Sequence, residues 1–146
     1  MAGYDNTSSL LAFAIHILAT KPELQEMMRT DVVEMTEGKE MSYELIAQMT
    51  YLEDFLMETL RIYPLSARIG RVCIKPYVHP ETSIQLSPGD VVVIPFYGIH
   101  IDPDIYPDPD KFRPERFMGE EKNSRAPESF LAFGSEPEIA LVNNSI

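Results

Sequence analysis

Apolar residues recur at helical spacing through the first half of the chain. Residues 8–19 are apolar with few breaks, which predicts a buried helix. Pro22 is a residue type favoured at helix starts, and the helix that it opens is predicted to run to about Glu37, where Gly38 stops it. Ser42 is a typical capping residue and predicts a short third helix. The first half is therefore predicted to be helical.

The clearest helical pattern begins at Thr50 and ends at Pro64, which lacks the amide hydrogen that a helix interior needs. One stripe of its side chains recurs at i, i+3, i+4, i+7 and i+8, which predicts a buried face. Glu58 and Arg61 lie opposite that stripe and can pair, because side chains three residues apart are neighbours on a helix. Spacing alone predicts a surface ion pair that contributes under about 1 kcal/mol to the stability of the fold. The stripe consists of Leu52, Phe55, Leu56, Thr59, Leu60 and Tyr63.

Short β-rich runs with frequent glycine and proline replace the helical pattern in the second half. Residues 77–86 are predicted to form a hairpin, and residues 87–90 a turn that leads into a strand at 91–94. Prolines are too frequent between Asp102 and Phe117 for regular structure, so an irregular, packed loop is expected there. The whole pattern predicts a mainly α fold with a small β portion, an α+β class.

The net charge of −11 argues against nucleic acid or an anionic membrane surface as a partner, because those partners need clustered Lys and Arg. Cys73 is the single cysteine, which excludes an internal disulfide and favours a reducing compartment. Its extended apolar surroundings predict a buried, inert thiol. His16, His79 and His100 lie too far apart in sequence to suggest a metal site, so we interpret each as structural or surface.

Three segments resemble the cytochrome P-450 superfamily, the haem-thiolate monooxygenases. Residues 130–140 are similar to the F-x-x-F-G-x-G-P-R-x-C segment whose cysteine thiolate holds the haem iron in that family. Glu58-Thr-Leu-Arg61 and, some fifty residues later, residues 112–117 (Phe-Arg-Pro-Glu-Arg-Phe) match two further motifs. The resemblance implies a partial cytochrome P-450 domain at residues 1–137, from the distal haem helix to just before the cysteine loop. Residues 138–146 are then a divergent tail outside the family.

The resemblance also implies roles for individual residues. Glu58, Arg61 and Arg116 match a buried structural triad that holds a loop beneath the haem. Arg71 matches an arginine that binds a haem propionate. The implied substrate-pocket residues are Leu65, Ser66, Ala67 and Ile69.

The N-terminal residues 2–8 resemble the A-G-x-[DE]-T-[TS] segment of the distal helix, whose acid and alcohol relay protons to oxygen bound at the haem. Asp5 matches the acid. Asn6 occupies the alcohol position, and Thr7 follows one residue late. Because an amide cannot donate a hydroxyl proton, the resemblance implies slow proton delivery at this position.

The haem loop departs from the family pattern at three positions. Glu136 replaces a glycine, Glu138 replaces an arginine that would face a propionate, and Ala140 replaces the cysteine ligand. A methyl group cannot ligate iron, so no residue is expected to bind the metal here, and the chain is expected to be inactive alone. The alternative is a non-catalytic product, either a truncated or mis-spliced fragment or an interaction protein.

By resemblance, the implied activity is oxidation of small lipophilic substrates with O2, using haem and electrons from an NADPH-dependent reductase. The residues of these motifs are most similar to those of microsomal animal members of the xenobiotic- and steroid-oxidising branch, which includes related isomerising synthases. That branch implies the endoplasmic-reticulum membrane, facing the cytosol. No apolar run reaches the ~18 residues of a membrane span, so the membrane anchor expected upstream is absent from this chain.

Overall fold

The computed structural model describes residues 2–134, and helices form the first half of that range. The predicted second and fourth helices occur where the sequence placed them, and the Ser42 hydroxyl oxygen accepts a hydrogen bond from the Leu45 amide at 3.2 Å. The first helix begins at Ala2 rather than at residue 8. The four helices are α1 (Ala2–Thr20), α2 (Pro22–Thr36), α3 (Tyr43–Ile46) and α4 (Thr50–Ile62).

Fewer side chains of α1 are buried than the sequence predicts. Ala14 and Ile17 are buried, but Leu11 is 51% exposed and Ile15 is 65% exposed. The expectation of a buried helix is therefore wrong for most of its length. The physical reason is that α1 packs against α2 and α4 on one side only, within the part of the chain that the structure describes.

Two small antiparallel sheets follow the helices. Strand β1 (Ile69–Val72) pairs with β4 (Val91–Ile94), and Ile69 lies opposite Ile94. Strands β2 (Tyr77–Val78) and β3 (Gln85–Leu86) form the predicted hairpin. About half of the described chain is helical and a small part is antiparallel sheet, which confirms the predicted α+β class.

Cys73 is half-buried, so the prediction of a buried thiol is wrong. It lies just beyond β1, at the end of a two-stranded sheet that offers little cover. Its amide donates to the Asp90 carbonyl at 2.8 Å, and its thiol contacts the Lys75 carbonyl oxygen at 2.8 Å.

The proline-rich stretch after β4 is mostly irregular, as predicted, and short helical turns frame it. The turn at Pro114–Phe117 lies directly against α4. None of the helices within residues 2–134 combines the length and apolar character needed to cross a bilayer. The framing elements are α5 (Phe96–His100), the 3₁₀ turn Pro114–Phe117, α6 (Gly119–Asn123) and the 3₁₀ turn Pro127–Ser129.

The main apolar core lies between α1, α2 and α4. Phe55 is 1% exposed, and its ring lies 5.0 Å from that of Phe112, so the core extends from α4 to the proline-rich loop. The buried members of this core are Ala14, Ile17, Leu24, Met28, Tyr51 and Phe55.

Phe55→Ala is expected to lower the free energy of unfolding by about 3–5 kcal/mol, because it removes a filled ring position on which helix and loop both pack. Urea denaturation of the 146-residue chain measures the change. Val33→Ala is the control, because Val33 is 57% exposed on α2 and its truncation leaves no cavity. Equal losses for the two variants would contradict this assignment of the core.

Candidate functional site

A carboxylate and a guanidinium on α4 form a bidentate pair that is fully buried. Arg61 donates from Nε to Glu58 Oε2 at 2.7 Å and from Nη2 to Glu58 Oε1 at 2.8 Å. Both side chains have 0% exposure. The expectation of a surface ion pair is therefore wrong. The loop after α5 and the turn Pro114–Phe117 cover the face of α4 that the apolar stripe leaves free.

Further donors of Arg61 bind backbone carbonyls at the end of α5 and in the proline-rich segment. Nη1 donates to the His100 oxygen at 2.7 Å, and Nη2 donates to the Pro109 oxygen at 2.7 Å. Glu58 Oε1 in turn accepts from the Arg113 amide at 2.9 Å. The pair on α4 therefore orients a loop distant in sequence that has little regular structure of its own.

Arg116 brings a second guanidinium to the same carboxylate. Its Nε lies 3.4 Å from Glu58 Oε1, and Nη2 donates to the Asp108 carbonyl oxygen at 2.7 Å. Asp108 has φ of 53°, in the left-handed region that Asp tolerates better than most residues. The structure thus brings together the three side chains, from α4 and from the turn Pro114–Phe117, that the sequence grouped as a triad.

The cluster holds two positive charges for one negative charge, and all three side chains are fully buried. Burial lowers the pKa of Arg116, and the nearby Glu58 carboxylate opposes that shift. Arg116 Nε and Nη1 make no hydrogen bond to any described residue. Backbone carbonyls accept the other hydrogen bonds of the two guanidiniums, so loss of Glu58 would leave both of them buried without their directly paired carboxylate.

Tyr106 and Arg125 form a second layer around this cluster. The Arg61 guanidinium lies 5.2 Å from the centre of the fully buried Tyr106 ring, and that of Arg125 lies 4.9 Å from it. Burial raises the pKa of Tyr106, whose hydroxyl donates to the Ser129 carbonyl at 3.2 Å. Arg125 also donates from Nη2 to the Arg116 carbonyl oxygen. This layer connects the cluster to the segment that precedes the predicted haem loop.

The predicted proton-relay residues lie on the first turns of α1. Asp5, Asn6 and Thr7 are all exposed, and the Ser8 hydroxyl donates to the Asp5 carbonyl at 3.1 Å. The structure shows their place on the helix, and their role stays a prediction.

Three of the predicted pocket residues lie in the connection between α4 and β1, and the fourth, Ile69, is the first residue of β1. Leu65, Ser66 and Ala67 are exposed, and Ile69 is half-buried. The Ala67 carbonyl accepts from the Tyr97 amide at 3.2 Å, which connects this segment to α5.

Arg71 is exposed on β1, and its Nη1 donates to the Gly70 carbonyl at 3.1 Å. The structure places neither Arg71 nor the pocket segment in the buried cluster, and their roles also stay predictions.

A sequence model of the family Cytochrome P450 matches residues 1–136. The chain belongs to the cytochrome P450 family. It is 44% identical over 146 residues to cytochrome P450 9e2 of Blattella germanica and 42% identical over 141 residues to cytochrome P450 3A31 of Mesocricetus auratus. It is 41% identical to cytochrome P450 3A1 of Rattus norvegicus. These findings confirm the family predicted from the motifs.

The chain spans only part of the length of these relatives. The first two alignments cover 97% and 96% of this chain but 27% and 28% of the relatives' own sequences. The matched family region, residues 1–136, ends before position 140.

The predicted haem-ligand position of this cytochrome P450 chain lies outside the described residues. The residue at that predicted position is Ala140, and the predicted tail and the part of the predicted haem loop from residue 135 onward also lie outside the described residues. The only cysteine, Cys73, binds a backbone carbonyl beside β1. Within residues 2–134, no group of three or more metal-binding side chains occurs. The propionate contact of Arg71 and the absence of a thiolate at position 140 stay predictions from the motifs.

Sequence reasoning missed two members of the buried assembly, Tyr106 and His100. Both are fully buried. Tyr106 lies within the proline-rich stretch, where no periodicity indicates which side chains point inward. The sequence predicts His100 only to be structural or on the surface. Its position directly before the Asp102–Phe117 loop is a signal that it packs with that loop.

Glu58→Gln is expected to lower the free energy of unfolding by about 3–5 kcal/mol, because it leaves Arg61 and Arg116 buried without a counter-charge. Urea denaturation measures this change. The matched control is Glu26→Gln, which alters a Glu–Arg pair of the same spacing. In that pair the charged atoms are 3.8 Å apart and the side chains are 65% and 75% exposed.

The control variant is expected to unfold at the same urea concentration as the parent chain, because exposed pairs contribute little. A Glu58→Gln chain that also unfolds at the parental midpoint would show that the buried charges need no carboxylate.

Proposed function

We propose that this chain is the part of a haem-dependent monooxygenase that holds the segment leading to the haem loop, and that it does not catalyse the reaction by itself. The observation that supports this role is the buried cluster of Glu58, Arg61 and Arg116, which binds four separate backbone positions between His100 and Arg113. Charge-assisted and bidentate contacts fix orientation as well as distance, which suits a positioning role.

The complete enzyme is proposed to oxidise small lipophilic substrates with O2, taking electrons from an NADPH-dependent reductase. Its proposed location is the endoplasmic-reticulum membrane, with the catalytic domain facing the cytosol. Family membership and the animal relatives, which include hamster and rat proteins, support both proposals. The side chains of Leu65, Ser66 and Ala67 are exposed in this chain, so the pocket segment does not indicate which class of substrate the enzyme binds.

Ala140 is the reason for proposing that the chain is inactive alone. A thiolate ligand requires a cysteine, and the side chain at the family position is a methyl group. Glu138 at the position of a cationic family residue would in addition repel a propionate.

The 146-residue chain, mixed with haem and reduced under carbon monoxide, is expected to lack the Soret band of thiolate-bound haem. The difference spectrum is the measurement. A full-length relative such as cytochrome P450 9e2 is the positive control in the same assay. A thiolate-type band from the 146-residue chain would contradict the proposed inactivity.

The second candidate function is a non-catalytic product, which the changes at positions 136, 138 and 140 favour. A chimera distinguishes it from a scaffold that can still support haem binding. Residues 2–137 of this chain, except for Gly restored at Glu136, replace their counterparts in cytochrome P450 9e2, which keeps its own cysteine and remaining sequence. The chimera is expected to show the thiolate-type band, and its Glu58→Gln version is expected to incorporate less haem. A stable chimera without bound haem would favour the non-catalytic product.

Asn6→Thr in that chimera is expected to raise the ratio of oxidised product to released peroxide. The reason is that Thr supplies a hydroxyl proton at a position where Asn has only an amide. Product and peroxide are measured together per NADPH consumed. Asn123→Thr is the control, because Asn123 is an exposed residue at the end of α6. An unchanged ratio for Asn6→Thr would overturn the assignment of Asn6 to the proton relay.

A further inference from the structure

His100 is a fully buried imidazole to which neither the triad nor the proposed function assigns a task. It is the last residue of α5, and it is surrounded by aromatic rings. Its ring is stacked on Phe130 at 5.3 Å with an interplanar angle of 13°, and Phe96 and Tyr106 contact it edge-on at 5.3 Å and 6.4 Å. These contacts fix the plane of the imidazole and the direction of its nitrogen atoms.

One of those nitrogen atoms accepts a hydrogen bond from a distant backbone amide. The Leu131 N–H donates to His100 Nε2 at 3.1 Å across 31 residues of sequence. An accepting Nε2 requires the neutral imidazole with its proton on Nδ1, because both nitrogens are donors in the cation. Nδ1 makes no hydrogen bond to any described residue.

The backbone of the same residue belongs to the buried cluster. The His100 carbonyl oxygen accepts from Arg61 Nη1 at 2.7 Å. His100 therefore joins two parts of the molecule, with its main chain bound to the triad and its side chain bound to Leu131. Residues 130–134 are the part of the predicted haem-loop segment, residues 130–140, that the structure describes.

The charged and titratable groups that face His100 offer no counter-ion for an imidazolium. They are Arg61 on α4, Tyr106 edge-on from the loop, and Arg125 on the Tyr106 ring. Glu58 already pairs with two guanidiniums. The described residues of the segment after Ser129, residues 130–134, carry no charge.

We propose that His100 is a positioning residue whose neutral imidazole holds residues 130–134 against the triad through the Leu131 amide, and that protonation of this imidazole releases the segment. We call this hydrogen bond the His100–Leu131 latch. It involves only residues that the structure describes.

The direction of the pH dependence follows from the burial of the ring. Burial lowers the pKa of His100 from 6.5 to about 4, whereas a ring released to solvent regains the ordinary value. The open form therefore takes up a proton that the closed form does not. The latch is fully stabilised above pH 6.5, and its opening equilibrium rises by up to tenfold for each pH unit as pH falls from 6.5 towards 4.

Hydrogen exchange of the Leu131 amide in the 146-residue chain tests the latch. Protection, corrected for the intrinsic rate at each pH, is expected to fall by up to tenfold per pH unit between about pH 6.5 and 5, where ordinary carboxylates are still mostly ionised. In His100→Gln the amide oxygen replaces Nε2 as acceptor, so protection is expected to persist without this slope. His16→Gln is the matched control and is expected to keep the parental slope, because His16 is exposed on α1.

A pH-independent Leu131 amide in the parent chain would overturn the proposal, and so would a His100→Gln chain that keeps the slope. Rapid hydrogen exchange of the Leu131 amide at neutral pH would overturn it as well, even if the amides of α4 exchange slowly. Nitrogen NMR of the imidazole in the parent chain decides the case if His100→Gln fails to fold. The Nδ1–H tautomer supports the latch, and the Nε2–H tautomer excludes it.

Discussion

The structure depends on one carboxylate, Glu58, buried against two guanidiniums. Removing three charges from water is costly, and the cost is offset only when their geometry and hydrogen bonds are nearly complete. The bidentate contact with Arg61 supplies the attraction, and the backbone carbonyls of His100 and Pro109 accept further hydrogen bonds from Arg61. The need to satisfy these buried groups determines how the segment folds over α4.

This constraint explains why a segment with little regular structure can be well packed. Prolines at positions 103, 107, 109 and 114 remove amide donors, so helix or sheet ladders cannot organise it. Arginine side chains bind its carbonyls instead, and Tyr106 is enclosed between Arg61 and Arg125. The segment gains from side chains the hydrogen bonds that regular structure would otherwise provide.

The same arrangement separates positioning from catalysis in this cytochrome P450 chain. The cluster on α4 and the contacts of His100 extend an ordered path as far as residues 130–134. Residue 140, which the motif resemblance predicts as the ligand position, is an alanine. The contacts that position the loop and the side chain predicted to bind the iron therefore come from different parts of the chain.

The sequence by itself determined the α+β class, the helices beginning at Pro22 and Thr50, the hairpin at 77–86, and the family, because local periodicity, proline positions and motif spacing are properties of neighbouring residues. It also placed Glu58, Arg61 and Arg116 in one group, although spacing alone favoured an exposed pair. Tertiary structure alone decided that α1 exposes Leu11 and Ile15 and that Cys73 is half-buried. It also decided that His100 binds Leu131, an interaction across 31 residues that no local pattern encodes. The physical reason is that burial depends on which distant element covers a side chain. A local sequence pattern does not specify which element that is.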